Sequence, residues 1–273
     1  MVVMVGSIRI LFLGDVVGEP GREAIYRRLP SLKKEEELDF VIANGENIAG
    51  GRGITPKLSI DLLRNGVAVV TTGDHVWDQK EILDYFPTEP RLLRPINWPE
   101  KTVGSGSVVL ETEKGKVAVI NAMGRVFMQP PLEDPFMAVE REVERLRSEG
   151  VKVIFVDFHA EATSEKIGFG HHLDGKVSAV AGTHTHVQTA DERILPGGTA
   201  VITDAGMCGP HYSVLGRAVA SVVWRFRTGM PTRFPIAKGP VELGGLLVEV
   251  DTETGKAIQV KRFREIIEEE SQG

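Results

Sequence analysis

An apolar run ends in two imidazoles in the stretch Val177-Ser178-Ala179-Val180-Ala181-Gly182-Thr183-His184-Thr185-His186. We interpret residues 177–181 as a buried strand, so both histidines lie at its C-terminal end, where open α/β sheets bind their ligands. Side chains two residues apart in extended backbone point to the same side. The pair is therefore expected to address two metals from one side, whereas an isolated His-x-His pair is as often two surface histidines.

Polar side chains follow four other apolar runs in the same way. The runs cover residues 8–12, 40–43, 67–70 and 153–156, and the polar groups after them are Asp15, Asn44-Gly45-Glu46-Asn47, Asp74-His75 and His159-Ala160-Glu161. Each group alone has an ordinary explanation: Gly14-Asp15 and Asn44-Gly45 are turn signals, and His159 alone would more often be a buried or orienting histidine. Carboxylate, amide and imidazole groups at five strand ends together predict a metal site.

Predicted strands alternate with predicted helices, a pattern typical of a layered α/β protein. Helices are predicted at residues 21–36, 57–65 and 135–149, and a further helix is expected after His75. Hairpins are predicted at 107–122 and 243–262. A chain of 273 residues forms one large core, so we expect a single domain over residues 1–273, with a long loop at about 87–104 and a frayed acidic tail from about 265.

Composition excludes several classes of protein. A formal net charge of −6 argues against a protein that grips long nucleic acid, because that grip is mostly phosphate neutralisation. The single cysteine, Cys208, excludes an internal disulfide and is expected to be a small buried hydrophobe. No apolar run approaches the ~20 residues that span a bilayer, and the first residues lack a secretory leader. We therefore expect a cytoplasmic protein.

The polar segments as a set resemble the YmdB-like branch of the calcineurin-type metallophosphoesterases. The resemblance runs over nearly the whole chain, through residues 14–18, 44–47, 73–78, 158–166 and 182–191. It implies a four-layer α/β sandwich with two mixed β-sheets packed between helices. It also implies a dinuclear metal centre and phosphodiesterase activity toward small substrates, including 2′,3′-cyclic nucleotides.

The resemblance assigns a role to each residue of the centre. One metal takes the ligands Asp15, Glu46, Asn47 and His186, and Glu46 bridges to a second metal held by Asp74, His159 and His184. His75 is the general acid. Two positions depart from the pattern: Val17 stands where the broader superfamily has a histidine, which Asn47 replaces, and Asp74 stands where the family usually has asparagine. The extra carboxylate should favour retention of hard divalent cations and soften their Lewis acidity.

The chemistry of a phosphodiester explains the need for two metals. Cations ~3.5–4 Å apart share and activate a hydroxide and clamp the phosphoryl oxygens. The mixed oxygen and nitrogen ligands suit iron, manganese or zinc. With the nucleophile supplied in this way, a protonated His75 neutralises the leaving alkoxide. We predict hydrolysis of a small phosphodiester, with 2′,3′-cyclic nucleotides converted to 3′-nucleotides.

Contacts to the substrate and alternative functions follow from weaker signals. Arg125 is a candidate phosphate clamp or a surface ion pair, and Gly209 and His211 belong to a glycine-rich loop that approaches a phosphate or base, or is a plain turn. A phosphomonoesterase or protein phosphatase would use nearly the same centre. A signalling protein that binds a cyclic nucleotide without turnover is the non-enzymatic alternative, and a homo-oligomer is left open.

Overall fold

The computed structural model describes residues 6–268. Its strands are β1 (Ser7–Leu13), β2 (Asp15–Val16), β3 (Phe40–Asn44), β4 (Val69–Thr71), β5 (Ser107–Thr112), β6 (Gly115–Met123), β7 (Val153–His159), β8 (Ala179–Thr183), β9 (Arg193–Ile194), β10 (Ala200–Ile202), β11 (Met207–Pro210), β12 (Val241–Asp251) and β13 (Ala257–Ile267). Its α-helices are α1 (Gly18–Glu35), α2 (Pro56–Arg64), α3 (Ile82–Tyr85), α4 (Pro135–Ser148), α5 (Thr163–His172) and α6 (Val219–Thr228).

The strands form two mixed sheets. The first has seven strands in the order β2-β11-β12-β1-β3-β4, with β13 paired to β12, and the second has six in the order β5-β6-β7-β8-β10-β9. Within the first sheet β1, β3 and β4 are parallel, and within the second β6, β7, β8 and β10 are parallel. Parallel strands end at the same edge, so the polar segments after β1, β3 and β4 emerge together, as do those after β7 and β8.

The two sheets are the inner layers of a four-layer sandwich. Side chains from both sheets form the central core, where Phe12 of β1 stacks on Phe155 of β7 with ring centroids 5.2 Å apart. A second buried cluster joins the first sheet to α1 and α2, and a third joins the second sheet to α4 and α5. Burial on both faces explains why the central strands read as continuous apolar runs. The predicted sandwich is confirmed.

Most of the predicted elements lie where expected. Thr55 caps α2, because its hydroxyl accepts from the Leu58 N–H at 3.3 Å and Pro56 takes the first helical position. Both predicted hairpins form, as β5–β6 and β12–β13. Between Thr88 and Ser107 the chain is irregular, and it runs beside the edge strand β4 at an isolated bridge between Leu92 and Val70.

A helix follows His75 as predicted, but only after turns and bends over residues 74–81: it is α3, which has four residues. Among these turns the His75 N–H lies 3.3 Å from Glu46 Oε2. The acidic tail predicted from about 265 overlaps the last residues of β13, where Glu265 pairs with Leu243 and accepts from Arg28 at 2.7 Å. Residues 269–273 lie outside the described part of the chain. No helix within residues 6–268 has both the length and the apolar character to cross a membrane.

Candidate metal centre

The candidate ligands come from both sheets and meet between them. Asp15, Glu46, Asn47 and Asp74 belong to or follow strands of the first sheet, and His159, His184 and His186 end or follow strands of the second. Asp15, Glu46 and His159 are buried to 1% exposure or less. Burying carboxylates costs free energy unless they are paired or bind a metal, so this arrangement indicates a site built for a cation.

Four of these residues converge on one point. Glu46, Asp74, His159 and His184 each offer one ligand atom, and these atoms lie within 4.8 Å of one another. His159 Nε2 lies 3.0 Å from Asp74 Oδ1, 3.2 Å from Glu46 Oε1 and 3.0 Å from His184 Nδ1. A single proton on His159 Nε2 cannot be donated to all three of these neighbours, whereas a single cation can bind Nε2 and the three neighbours together.

Asp15, Asn47 and His186 form a second group that adjoins Glu46. Asn47 Nδ2 lies 2.9 Å from Glu46 Oε1 and 3.3 Å from His186 Nε2, which in turn lies 3.8 Å from Asp15 Oδ1. That Asp15 oxygen is buried with no hydrogen-bond partner among residues 6–268. An orphaned carboxylate oxygen beside an imidazole fits a metal. Asn47 presents its amide nitrogen here, so binding through its oxygen requires the terminal amide to turn over.

The backbone of the His184–His186 pair differs from the prediction. Strand β8 ends at Thr183, and His184 and His186 have φ angles of +99° and +64°, so the pair does not alternate on extended backbone. Thr185 between them donates from both its N–H and its hydroxyl to Asp204 Oδ2, at 3.1 and 2.7 Å. The two imidazole rings still face different side chains, because this turn places His184 beside His159 and His186 beside Asp15.

The electrostatics of these buried side chains favour a bound cation. Burial raises the pKa of Asp15, against the opposing attraction of His186 and His159. For Glu46, burial acts upward, but the charge and hydrogen bond of His159 outweigh it and hold the pKa below its usual value. Burial acts downward on His159, yet Glu46, Asp74 and Asp15 raise its pKa well above the ordinary value. The carboxylates thus hold a proton on His159, which a cation would displace.

His75 lies at the rim rather than among the four convergent residues. Its Nδ1 is 3.0 Å from Asp78 Oδ2 and 3.7 Å from Asp74 Oδ2, and its side chain is partly exposed. Asp78 is itself held by the Arg52 guanidinium. The ring is therefore oriented through Nδ1 while staying accessible to a ligand, a geometry that suits the predicted proton donor.

Residues that the sequence did not reveal position His159. Thr183 Oγ1 lies 2.9 Å from His159 Nδ1 and donates to Asp157 Oδ1 at 2.7 Å. Because the single hydroxyl proton goes to Asp157, the hydroxyl accepts from Nδ1–H and leaves Nε2 free to face the centre. Burial raises the pKa of Asp157 to about 7. The only sequence signal for this chain of bonds was one carboxylate inside the otherwise apolar β7.

Glu161 is a further neighbour of the centre. Its Oε2 lies 3.1 Å from His184 Nε2, the nitrogen that faces away from His159. A carboxylate on the second nitrogen of a ligating histidine orients the ring and raises its basicity. The sequence places Glu161 in the polar segment after β7 but gives no local signal for its role.

The candidate substrate contacts divide into those near the centre and those away from it. The Arg125 guanidinium pairs with Asp134 at 3.4 Å, as the surface ion-pair interpretation predicts. Gly209 is buried in β11, and a Cβ added there would lie 3.0 Å from the Val17 side chain. Its backbone therefore packs against Val17. His211 lines a cavity of about 370 Å³ together with His186. Cys208 is fully buried, as expected.

Comparisons with known proteins agree with this geometry. The family model described as YmdB-like protein matches residues 11–263. A 2′,3′-cyclic-nucleotide 2′-phosphodiesterase of Bacillus subtilis (strain 168) is 47% identical over 259 residues, which is 94% of this chain and 96% of that protein. A putative phosphatase/phosphodiesterase of Mycoplasma pneumoniae is 38% identical and covers 98% of this chain and 96% of its own length.

Solved structures show the same relationship. A hypothetical protein from Thermus thermophilus superposes with a TM-score of 0.87 at 40% identity, covering 95% of this chain and 100% of that one. A phosphatase from Mycoplasma pneumoniae superposes with a TM-score of 0.91 at 37% identity, covering 97% and 95%. A 5′-nucleotidase precursor from Thermus thermophilus, at 14% identity and a TM-score of 0.60, covers 96% of this chain and 55% of that one and shares the fold. The resemblance is confirmed, and the chain belongs to the YmdB-like family.

Proposed function

We propose that the protein is a dinuclear-metal phosphodiesterase that hydrolyses 2′,3′-cyclic nucleotides to 3′-nucleotides. The observation that carries the proposal is the convergence of Glu46, Asp74, His159 and His184 beside an orphaned buried oxygen of Asp15. The Bacillus subtilis relative, a 2′,3′-cyclic-nucleotide 2′-phosphodiesterase, supports the choice of substrate. Breakage of the 2′ ester of such a substrate leaves the phosphate on the 3′ oxygen.

The ligands divide into two sets that share Glu46. Asp15, Asn47 and His186 would hold one cation with one Glu46 oxygen, and Asp74, His159 and His184 would hold the other with Glu46. Iron or manganese fits this mixed set of oxygen and nitrogen atoms, and zinc is the alternative. When bound, such a pair supplies an activated water and neutralises charge on the phosphoryl oxygens. This division is supported by the nitrogen and oxygen atoms that these residues, Asn47 excepted, direct at one another.

His75 would donate the proton that the leaving oxygen needs. Asp78 accepts from its Nδ1, which orients the ring and leaves Nε2 to carry that proton. Opening a 2′,3′-cyclic phosphate breaks one ester bond, and the released oxygen stays on the ribose. One acid placed at the rim therefore suffices, which matches the position of His75 beside Asp74 and outside the four convergent residues.

Phosphorus NMR of the reaction products tests the proposal. Manganese-loaded wild type should convert 2′,3′-cyclic AMP to 3′-AMP, and Asp15→Ala should not, because it removes the orphaned oxygen. Asp84→Ala, which changes an exposed aspartate on α3, is the matched control and should keep wild-type turnover. A phenyl phosphate reaction in parallel separates the alternatives. Faster turnover of that monoester would identify a phosphomonoesterase, and tight nucleotide binding without turnover would identify a binding protein.

A further inference from the structure

One segment of this acidic chain carries positively charged side chains and no negatively charged ones. We define the basic segment as residues 211–239. It contains Arg217, Arg225, Arg227, Arg233 and Lys238 and no aspartate or glutamate, within a chain whose formal net charge is −6. The total charge therefore conceals a local concentration of positive charge.

The cations of this segment have no acidic partners. Arg217 donates to the carbonyls of Gly50, Gly51 and Phe234, and Arg225 donates to the Gly229 carbonyl. Among residues 6–268, none of the five cations forms an ion pair with a carboxylate. Some arginines elsewhere are paired, as Arg28 is with Glu35 and Glu265, whereas others in the described part of the chain, such as Arg27 and Arg141, also form no ion pair. The basic segment differs because it concentrates five such cations in a stretch without any carboxylate, and that concentration favours an anionic ligand.

Aromatic and aliphatic side chains lie exposed between these cations. Tyr212 is 72% exposed, Trp224 46% and Phe226 79%. Helix α6 buries one residue, Val222, so the helix lies on the surface. Val219, Val223, Trp224 and Arg227 line a groove of about 740 Å³ along it. Exposed aromatic rings interleaved with arginine are the combination on which single-stranded nucleic acids stack.

The basic segment also starts at the metal centre. His211, Ser213 and Leu215 line the cavity of about 370 Å³ that His186 borders. Arg217, a few residues further, binds the carbonyls of Gly50 and Gly51 in the loop that follows Asn47. A ligand with one end at the centre would therefore meet the first residues of the basic segment in this cavity.

We propose that the basic segment binds the body of a short single-stranded oligoribonucleotide whose 3′-terminal 2′,3′-cyclic phosphate lies at the metal centre. This inference rests on the proposed function and extends its substrate from mononucleotides to RNA ends. The arginines neutralise backbone phosphates, and Trp224 and Phe226 stack on bases. A second copy of the chain is the less favoured occupant, because a two-fold interface on this segment would bring its like charges together.

Catalytic efficiency on two substrates tests the inference. We would measure kcat/KM for 2′,3′-cyclic AMP and for a six-residue oligoadenylate ending in a 2′,3′-cyclic phosphate, at 50 and 200 mM KCl. The wild type should prefer the oligomer at least about tenfold at the lower salt concentration. With two phosphates neutralised, that preference should fall about sevenfold at the higher concentration. Trp224→Ala should lower the preference at least about fivefold by removing one stacked base.

Charge variants give the matched comparison. Arg225→Gln/Arg227→Gln should bring the preference close to one and abolish its salt dependence. Arg27→Gln/Arg141→Gln removes the same charge from two exposed arginines on α1 and α4 and should keep the wild-type preference. Fluorescence anisotropy with a labelled oligoadenylate ending in a 3′-hydroxyl measures binding by the same proteins without catalysis.

Each outcome separates this inference from the proposed function. Turnover of 2′,3′-cyclic AMP with no preference for the oligomer would overturn the inference and leave the proposed function intact. Failure to turn over either substrate would overturn the proposed function, while anisotropy would still decide whether the basic segment binds RNA. If light scattering showed that Arg225→Gln/Arg227→Gln dissociates an oligomer and lowers both activities equally, the segment would be an interface between copies and the inference would be wrong.

Discussion

Replacement of Thr183 by valine tests whether its hydroxyl contributes to metal affinity in addition to the stability of the fold. Valine keeps the shape and removes the hydroxyl that lies 2.7 Å from Asp157 Oδ1 and 2.9 Å from His159 Nδ1. A buried polar atom left without its partner costs about 1–3 kcal/mol, so the two atoms together cost about 2–6 kcal/mol of unfolding free energy. Loss of a residue that orients a ligating histidine typically costs about 10–100-fold in metal affinity.

Thr199→Val is the control for this prediction. Thr199 is equally buried, lies just before β10 in the same half of the molecule, and donates to the Val177 carbonyl at 2.7 Å while accepting from the Gly175 N–H at 2.9 Å. Urea unfolding of the metal-free proteins should show comparable losses for both variants. Manganese titration against a competing dye should show weaker binding for Thr183→Val alone. Wild-type manganese affinity in Thr183→Val would refute a role for the hydroxyl in orienting His159.

Further substitutions test the division of roles within the centre. His75→Ala should keep metal content near that of wild type and lower kcat about 10²–10⁴-fold, the usual contribution of a general acid, whereas His184→Ala should lose metal; equal metal loss in elemental analysis would contradict the separation. Asp74→Asn, which introduces the amide that the resemblance implies for this position, should weaken manganese binding in the dye titration because it removes one negative charge, and should raise the turnover per bound metal; tighter binding would count against this reasoning. Burial raises the pKa of the Cys208 thiol, so Ellman's reagent at pH 8 should find no reactive thiol in the folded protein and one equivalent after denaturation.

The strand ends were predictable because their signals are local. Apolar runs buried on both faces, each ended by a carboxylate, amide or imidazole, indicated β1, β3, β4, β7 and β8 together with the ligands beyond them. The polar side chains that follow these strands in the sequence therefore also lie at the ends of the strands in the structure. Location in the cytoplasm, the native metal and the division into two metal sites stay predictions.

Other features depend on contacts between distant segments. The turn of His184 and His186 is set by the hydrogen bonds of Thr185 to Asp204, and extended backbone was the natural expectation for residues after a strand. The turns around His75 accompany a contact between its N–H and Glu46, which follows a different strand. Thr183 resembles an ordinary core residue until Asp157 of the neighbouring strand is placed beside it. The net charge is a sum over the whole chain, so it gave no indication of the basic segment.

The position of Asp15 has a consequence for biosynthesis. Asp15 lies in β2, and the strand that pairs with β2 in the described sheets is β11, with Met207 opposite Asp15. A nascent chain that has not yet emerged past residue 206 can contain every other candidate ligand and still lack the neighbour that positions Asp15. Full occupancy of the centre would then require that synthesis has passed β11, and a product truncated before it would lack both this neighbour of Asp15 and strand β12, which pairs with β1 in the central core.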